Sequence, residues 1–212
     1  MFRATEQITK DNTFDAFAFC VIVSIFNFYV TQRDLARDAR VDACTVLQAI
    51  RGGSQLIQSF QPSTSDAMPK GLVGHLWREQ RPAPTQEICQ ALGGLTALQA
   101  SAHVRDDPSI VQAIELMRCT IERFGLYPKG WLHIIIWPAM LPEGFLDKLE
   151  QRNPEAVVLL LYWCAILRGA QSTWFLDGLA ERAAQAYVAD LDDYWLAFSV
   201  WPLSKLRIAS CF

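Results

Sequence analysis

The side chains that most often bind metals or act as nucleophiles are few in this sequence and widely separated. The three histidines, His75, His103 and His133, share no HExxH motif and no spacing typical of a metal site. The six cysteines form neither a CxxC pair nor a cluster with histidine; they are Cys20, Cys44, Cys89, Cys119, Cys164 and Cys211. The sequence therefore predicts no metal and no cofactor, with buried free thiols in a reducing compartment.

Three other patterns could suggest catalysis, and each has a simpler structural interpretation. Cys20 and Cys164 stand in apolar runs, which raise the pKa of a thiol and make it inert. Asp192 and Asp193 are adjacent, so their side chains diverge, and the pair fits a helix N-cap followed by a first-turn acid. The glycine pairs at 52–53 and 93–94 follow no predicted strand, so we expect no phosphate-binding loop.

What remains is a set of aromatic and amphipathic side chains in the C-terminal half. Such side chains combine a large apolar area with a few hydrogen-bond donors, as in pockets that hold a terpenoid or a sterol. The candidate catalytic donors are Tyr162, Arg168 and Trp174, and the candidate ligand contacts are His133, Trp163, Phe175, Tyr194, Trp195 and Trp201. Core packing is the alternative for each aromatic residue, since tryptophan is mostly buried in any fold.

These candidates surround a segment with strong helix signals. Asn153, Pro154 and Glu155 suit the N-cap and the first turn of a helix. The run that follows, AVVLLLYWCAIL, is apolar all round and too short to span a bilayer, so we expect a buried central helix. Arg168 follows this helix and needs an acceptor, either a C-terminal helix carbonyl or the carboxylate or carbonyl of a ligand.

Helical patterns also account for the rest of the chain. Helices are expected over residues 12–31, 34–57 with an interruption at Arg51-Gly52-Gly53, 85–102, 109–124, 131–137, 143–151, 172–189 and 195–208, the last bent at Pro202. Residues 61–70 have the composition of a surface loop. The expected fold class is all-α: residues 1–212 form a single domain, an irregular helical bundle around the central helix with an apolar pocket.

Composition limits the partners of this chain. Apolar residues make up 51% of its 212 residues and charged residues 19%, where about 45–50% and about 25% are typical. This apolar excess leaves surface for an apolar small molecule, or for a second copy of the chain in a homodimer. The net charge of -3 argues against nucleic-acid binding. The most apolar run, residues 16–26, is shorter than the ~20 residues of a membrane span, and no basic segment follows Met1. We therefore expect a cytoplasmic protein, or a nuclear one if it acts in transcription.

Several stretches resemble a known family. The C-terminal half contains IIIWPAMLPEGFLDKLEQRNPEAVVLLLYWCAILRGAQSTWFLDG, closed by WLAFSVWPL, and the N-terminal part contains DAFAFCVIVSIFNF and Ile50-Arg51-Gly52. These residues resemble the C-terminal ligand-sensing domain of fungal zinc-cluster transcription factors of the sterol uptake control type. The resemblance implies an all-α domain whose C-terminal helices enclose a sterol. Because the closely spaced zinc-ligating cysteines of the family are absent, it also implies that this chain does not read DNA.

The sequence departs from that family where the family holds its ligand. Ile166-Leu167-Arg168 stands in place of the usual Leu-Leu-His. Trp174-Phe175 and Gly178-Leu179-Ala180 stand where the family tends to have Trp-Trp and Gly-Trp-Gly. We therefore expect a different ligand or a different role.

Two functions are compatible with these observations. In architecture the chain also resembles the norbornene-forming Diels-Alderases of sordarin-type diterpenoid pathways. This resemblance implies a cofactor-independent [4+2] cyclase that acts on a terpenoid enal, a reaction that needs shape and a hydrogen-bond donor rather than a nucleophile. The alternative is a non-catalytic effector domain of a transcription factor that binds a sterol-like lipid.

Overall fold

The described part of the chain is mostly helical. The computed structural model describes residues 38–59, 82–170 and 178–208, together with isolated positions between 19 and 30. These ranges contain α-helices, one 3-10 turn and no strand, which confirms the all-α class. In chain order the helices are α1 (Ala39–Ser59), α2 (Gln86–Ala100), α3 (Ala102–Arg105), α4 (Pro108–Phe124), α5 (Trp131–Ala139), α6 (Phe145–Glu150), α7 (Pro154–Arg168), α8 (Leu179–Val188), α9 (Asp193–Leu196) and α10 (Val200–Leu206), with the 3-10 turn at Ala197–Ser199.

The predicted central helix is α7. The side chain of Asn153 accepts a hydrogen bond from the amide of Ala156 at 3.3 Å, and Pro154 occupies the first helical position. Every residue from 155 to 167 is buried. The helix contacts α4, α5, α6, α8, α9 and α10, so its apolar surface is covered on all sides. Removing this surface from water is the main contribution that such a helix makes to stability.

Helix α4 also forms as its local sequence predicts. The carboxylate of Asp107 accepts hydrogen bonds from the amides of Ser109 and Ile110, and it forms an ion pair with Lys148 at 2.6 Å. Burial alone would raise the pKa of Asp107, but the hydrogen bonds from Lys148 and Ser109 hold it below its ordinary value. The predicted stripe is buried; it consists of Ile110, Ile114, Met117 and Ile121.

The interruption predicted at Arg51-Gly52-Gly53 is wrong, because α1 continues through both glycines to Ser59. Glycine in a helix interior costs about 1 kcal/mol relative to alanine, a local preference that tertiary packing can override. Here α1 lies against α5, α6 and α8 and buries Val46, Leu47 and Ile50. Packing along one face therefore stabilises the helix at its two glycines.

The single C-terminal helix predicted over 195–208 is also wrong, since the segment divides into α9, the 3-10 turn and α10. Asp192 caps α9 by accepting from the amide of Trp195 at 3.2 Å, in agreement with the capping interpretation. Proline cannot donate to the carbonyl four residues earlier, and its ring clashes with that carbonyl in a helix interior. Pro202 lies in the first turn of α10, where its missing N–H removes no hydrogen bond within that helix.

Some predictions fall on other parts of the chain. Positions 19, 22, 23, 25, 26, 29 and 30 are helical, in agreement with the helix predicted over 12–31. The loop predicted over 61–70 and the first part of the helix predicted over 172–189 lie outside the described residues. Among the helices that are described, none has the length and hydropathy needed to cross a membrane.

Candidate functional site

A cleft of about 330 Å³ lies between the C-terminal end of α7 and helix α10. Its volume is at the lower end of the roughly 300–1,000 Å³ that ligand sites occupy. The wall combines apolar and charged side chains; it consists of Glu87, Leu126, Tyr127, Ala165, Arg168, Gly169, Trp201, Ser204, Lys205 and Arg207. Two of the predicted site residues, Arg168 and Trp201, therefore share one wall. The apolar pocket expected from the sequence stays a prediction.

Arg168 connects three helices at this cleft. Its guanidinium forms an ion pair with Glu181 of α8 and donates to the carbonyl of Leu206 in α10 at 3.4 Å. The carbonyl belongs to the last residue of α10, so one of the two acceptors expected from the sequence is present. Arginine suits this position because its planar guanidinium can donate in several directions at once. Arg168 therefore links the C-terminal ends of α7 and α10 to the first turn of α8.

A second polar group at the cleft joins segments that are far apart in sequence. The hydroxyl of Tyr127 donates to Glu87 Oε2 at 2.9 Å, and Lys205 Nζ lies 2.5 Å from Glu87 Oε1. The hydrogen bond to Glu87 raises the pKa of Lys205. These three residues were not predicted from the sequence, since no motif or periodicity links positions on different segments.

Trp201 contributes a polar atom that lacks a partner. Its side chain is 7% exposed, and among the described residues its buried indole Nε1 finds no hydrogen-bond acceptor. An indole nitrogen can only donate, and a buried donor without an acceptor costs free energy. Trp201 is one of the residues that line the cleft.

Tyr162 lies behind Trp201 rather than on the wall of the cleft. The two ring centroids are 5.2 Å apart, and Tyr162 is completely buried. Its hydroxyl donates to the carbonyl of Phe198 at 3.3 Å, and burial raises its pKa. Phe198 is four residues before Pro202, whose missing N–H leaves that carbonyl without a helical donor. In this structure the Tyr162 hydroxyl therefore replaces a backbone hydrogen bond.

Two further candidates, His133 and Trp163, lie in another part of the bundle. Trp163 Nε1 donates to the carbonyl of Ile134 at 3.0 Å, and its ring packs against that of Trp137. His133 Nδ1 accepts from the amide of Lys129 at 3.1 Å. Both side chains are buried. Near them, a groove of about 210 Å³ between α4 and α5 is lined by Leu116, Cys119, Thr120, Glu122, Arg123, Phe124, Ile136, Trp137 and Met140.

Tyr194 and Trp195 belong to a third group. Their rings contact each other and the rings of His103 and Phe198, with centroid distances of 5.0 to 5.9 Å. Trp195 is buried, whereas Tyr194 is 48% exposed. The predicted candidates are thus distributed over three places. Trp174 and Phe175 lie outside the described residues.

The thiols of the described residues separate into two classes, and Cys20 and Cys211 lie outside those residues. Cys164 is fully buried and burial raises its pKa, in agreement with the inert thiol expected from its apolar neighbours. Burial also raises the pKa of Cys44, which contacts the hydroxyl of Tyr187 at 3.3 Å. The expectation of buried thiols is wrong for Cys89 and Cys119, because each lies on the solvent side of an amphipathic helix. In the described ranges, no group of His, Cys, Asp and Glu side chains is arranged to hold a metal ion.

Comparison of the chain with protein-family models, curated proteins and solved structures gave no match. The site is therefore interpreted from its own geometry.

Proposed function

We propose that this chain binds an apolar small molecule with an oxygen-bearing end in the cleft beside α7, and that it acts on this molecule as a cofactor-independent cyclase. The substrate class is a terpenoid or a related polyunsaturated compound that contains an enal. The single observation that carries the proposal is the buried Trp201 Nε1, which has no acceptor among the described residues and belongs to a side chain that lines a ligand-sized cleft.

The proposed reaction requires the protein only to position the substrate and to donate one hydrogen bond to it. In an intramolecular [4+2] cyclisation, two carbon–carbon σ bonds form at the expense of two π bonds, and no proton, electron pair or leaving group departs. A hydrogen bond from Trp201 Nε1 to the aldehyde oxygen draws electron density from the dienophile. Such a donor contributes about 3–4 kcal/mol to transition-state stabilisation in an enclosed site. Holding the chain in a near-attack conformation supplies further rate enhancement.

The second candidate function is that of a ligand-responsive effector domain, and the observation that favours it is the position of Arg168. Its guanidinium links α7 to α8 and α10 and also lines the cleft. A ligand carbonyl that competes for this guanidinium would loosen the link between the three helices. The resemblance to sterol-sensing domains of fungal transcription factors points in the same direction.

The enzyme proposal is tested with a linear trienal that carries a diene and an enal on one carbon chain. Purified protein should form the cyclised product faster than buffer does, as measured by gas chromatography of timed samples. Replacing Trp201 with phenylalanine removes the donor but keeps a ring, and should lower kcat by about 10²–10³-fold. Trp195→Phe is the matched control, because Trp195 is equally buried at 7% exposure but lies in the separate aromatic group.

The outcomes distinguish the two candidates. If the trienal raises the melting temperature but cyclises only at the rate seen in buffer, the enzyme proposal fails and the effector function remains. In that case the bound trienal should also speed amide hydrogen exchange at the ends of α8 and α10, and unchanged exchange would argue against the effector function. If the trienal neither binds nor reacts, both are lost.

A further inference from the structure

Arg207 is a charged residue of the cleft that takes no part in the proposed function. It follows the last residue of α10, its side chain is exposed, and it lines the cleft. Among the described residues its guanidinium forms no hydrogen bond and no ion pair. It is therefore available to a ligand, unlike the other two cations of the wall.

Among the described residues, the charges around the cleft leave one positive charge uncompensated. Lys205 is paired with Glu87, and Arg168 is paired with Glu181 behind the wall. These two carboxylates compensate two of the three cations, and Arg207 remains. A ligand with a single negative charge would neutralise the charge of Arg207. A phosphate or diphosphate carries more negative charge than one free guanidinium can compensate, so the carboxylates of Glu87 and Glu181 would repel it.

The backbone at Arg207 adds a second observation. Its φ of 54° lies in the left-handed region, where a side chain is disfavoured and glycine is free of strain. Glycine is the usual residue at this position after a helix. No hydrogen bond or ion pair among the described residues calls for an arginine here. Residues held in such a conformation cluster at functional sites, and Arg207, unlike Arg152, lines the cleft.

We propose that the ligand of this cleft carries a carboxylate, which Arg207 binds while the apolar body lies along Leu126, Ala165 and Trp201. This inference rests on the proposed function, because it assigns the ligand class of the same cleft. In the cyclase, the carboxylate holds one end of the substrate and leaves the enal for the indole of Trp201. The ligand is thus an acidic amphipathic molecule such as a terpenoid acid.

The experiment compares three molecules with one carbon skeleton: farnesoic acid, farnesal and farnesol. Dissociation constants for the full chain are measured by isothermal titration calorimetry at pH 7 and low salt. Farnesoic acid should bind at least tenfold more tightly than farnesol, and 0.5 M salt should reduce this preference because it screens the charge pair. Arg207→Gly should abolish the preference without loss of stability, since it also relieves the left-handed conformation. Arg207→Lys should retain most of it.

Arg152→Gly is the matched control. Arg152 has the same left-handed conformation with φ of 60°, is 57% exposed on its side chain, and does not line the cleft. Its replacement should leave the ratio of the acid and alcohol constants unchanged. Equal binding of acid and alcohol, or a preference that survives in Arg207→Gly, would overturn the carboxylate assignment while leaving the proposed function standing. If none of the three molecules binds, the proposed function itself fails, and this inference fails with it.

Discussion

The two adjacent glycines of α2 should respond oppositely to alanine, although both occupy the interior of the same helix. A Cβ added at Gly93 meets no atom within 4 Å, and this residue is exposed. A Cβ added at Gly94 overlaps with the hydroxyl oxygen of Tyr162 and lies 3.5 Å from its Cζ. Tyr162 cannot move aside easily, because it is completely buried and its ring packs against that of Trp201.

The magnitudes follow from these contacts. Gly93→Ala gains helix propensity alone and should raise the free energy of unfolding by about 1 kcal/mol. Gly94→Ala gains the same propensity, but overpacking costs about 1–3 kcal/mol and loss of the Tyr162 hydrogen bond about 1–3 kcal/mol. The expected net loss is about 1–5 kcal/mol. Gly94→Ala should therefore be the less stable of the two variants.

Urea denaturation of both variants, followed by circular dichroism, measures this difference directly. A further variant locates its cause: in a Tyr162→Phe background, Gly94→Ala no longer meets a hydroxyl and should cost little. The double-mutant cycle should then show a coupling energy above about 0.5 kcal/mol. If Gly93→Ala and Gly94→Ala had equal stabilities, the close approach of α2 to α7 would be refuted. A coupling energy near zero would mean that Tyr162 is not the obstacle.

Three other predictions concern charge, hydrogen bonding and thiol reactivity. Asp107→Asn keeps a good N-cap but removes the charge that pairs with Lys148. Since the pKa of Asp107 is lowered in the folded state, wild type should be the more stable protein above about pH 4. Urea titrations should show that this difference in the free energy of unfolding shrinks as the pH falls through the folded-state pKa. Tyr162→Phe should lower the free energy of unfolding by about 1 kcal/mol and leave the affinity for farnesal unchanged, because the Tyr162 hydroxyl donates to a backbone carbonyl. A selective loss of affinity would instead show that Tyr162 contacts the ligand. Ellman's reagent should modify Cys89 and Cys119 in the folded protein, and Cys44 and Cys164 only after unfolding. Rapid reaction of all four thiols in the folded protein would contradict the burial of Cys44 and Cys164.

Local sequence signals determined much of this fold. Asn153 and Pro154 begin α7, and Asp107 caps α4, because capping depends on side chains within a few residues of the amides that they satisfy. The apolar run of α7 had to become a buried helix, since it is too apolar for a surface and too short for a membrane.

Tertiary structure decided what depends on distant residues. The helix at Gly52-Gly53 continues because α5 and α8 cover its other positions, a contribution that no local window contains. The sequence indicated that Arg168 needs an acceptor, but only the fold supplies Glu181 from the next helix. The charge balance that isolates Arg207 requires the same kind of information, because it depends on which carboxylates reach the other cations. Capping and periodicity act over a few residues, whereas the pairing of charges and the shape of a cleft follow from how whole helices meet.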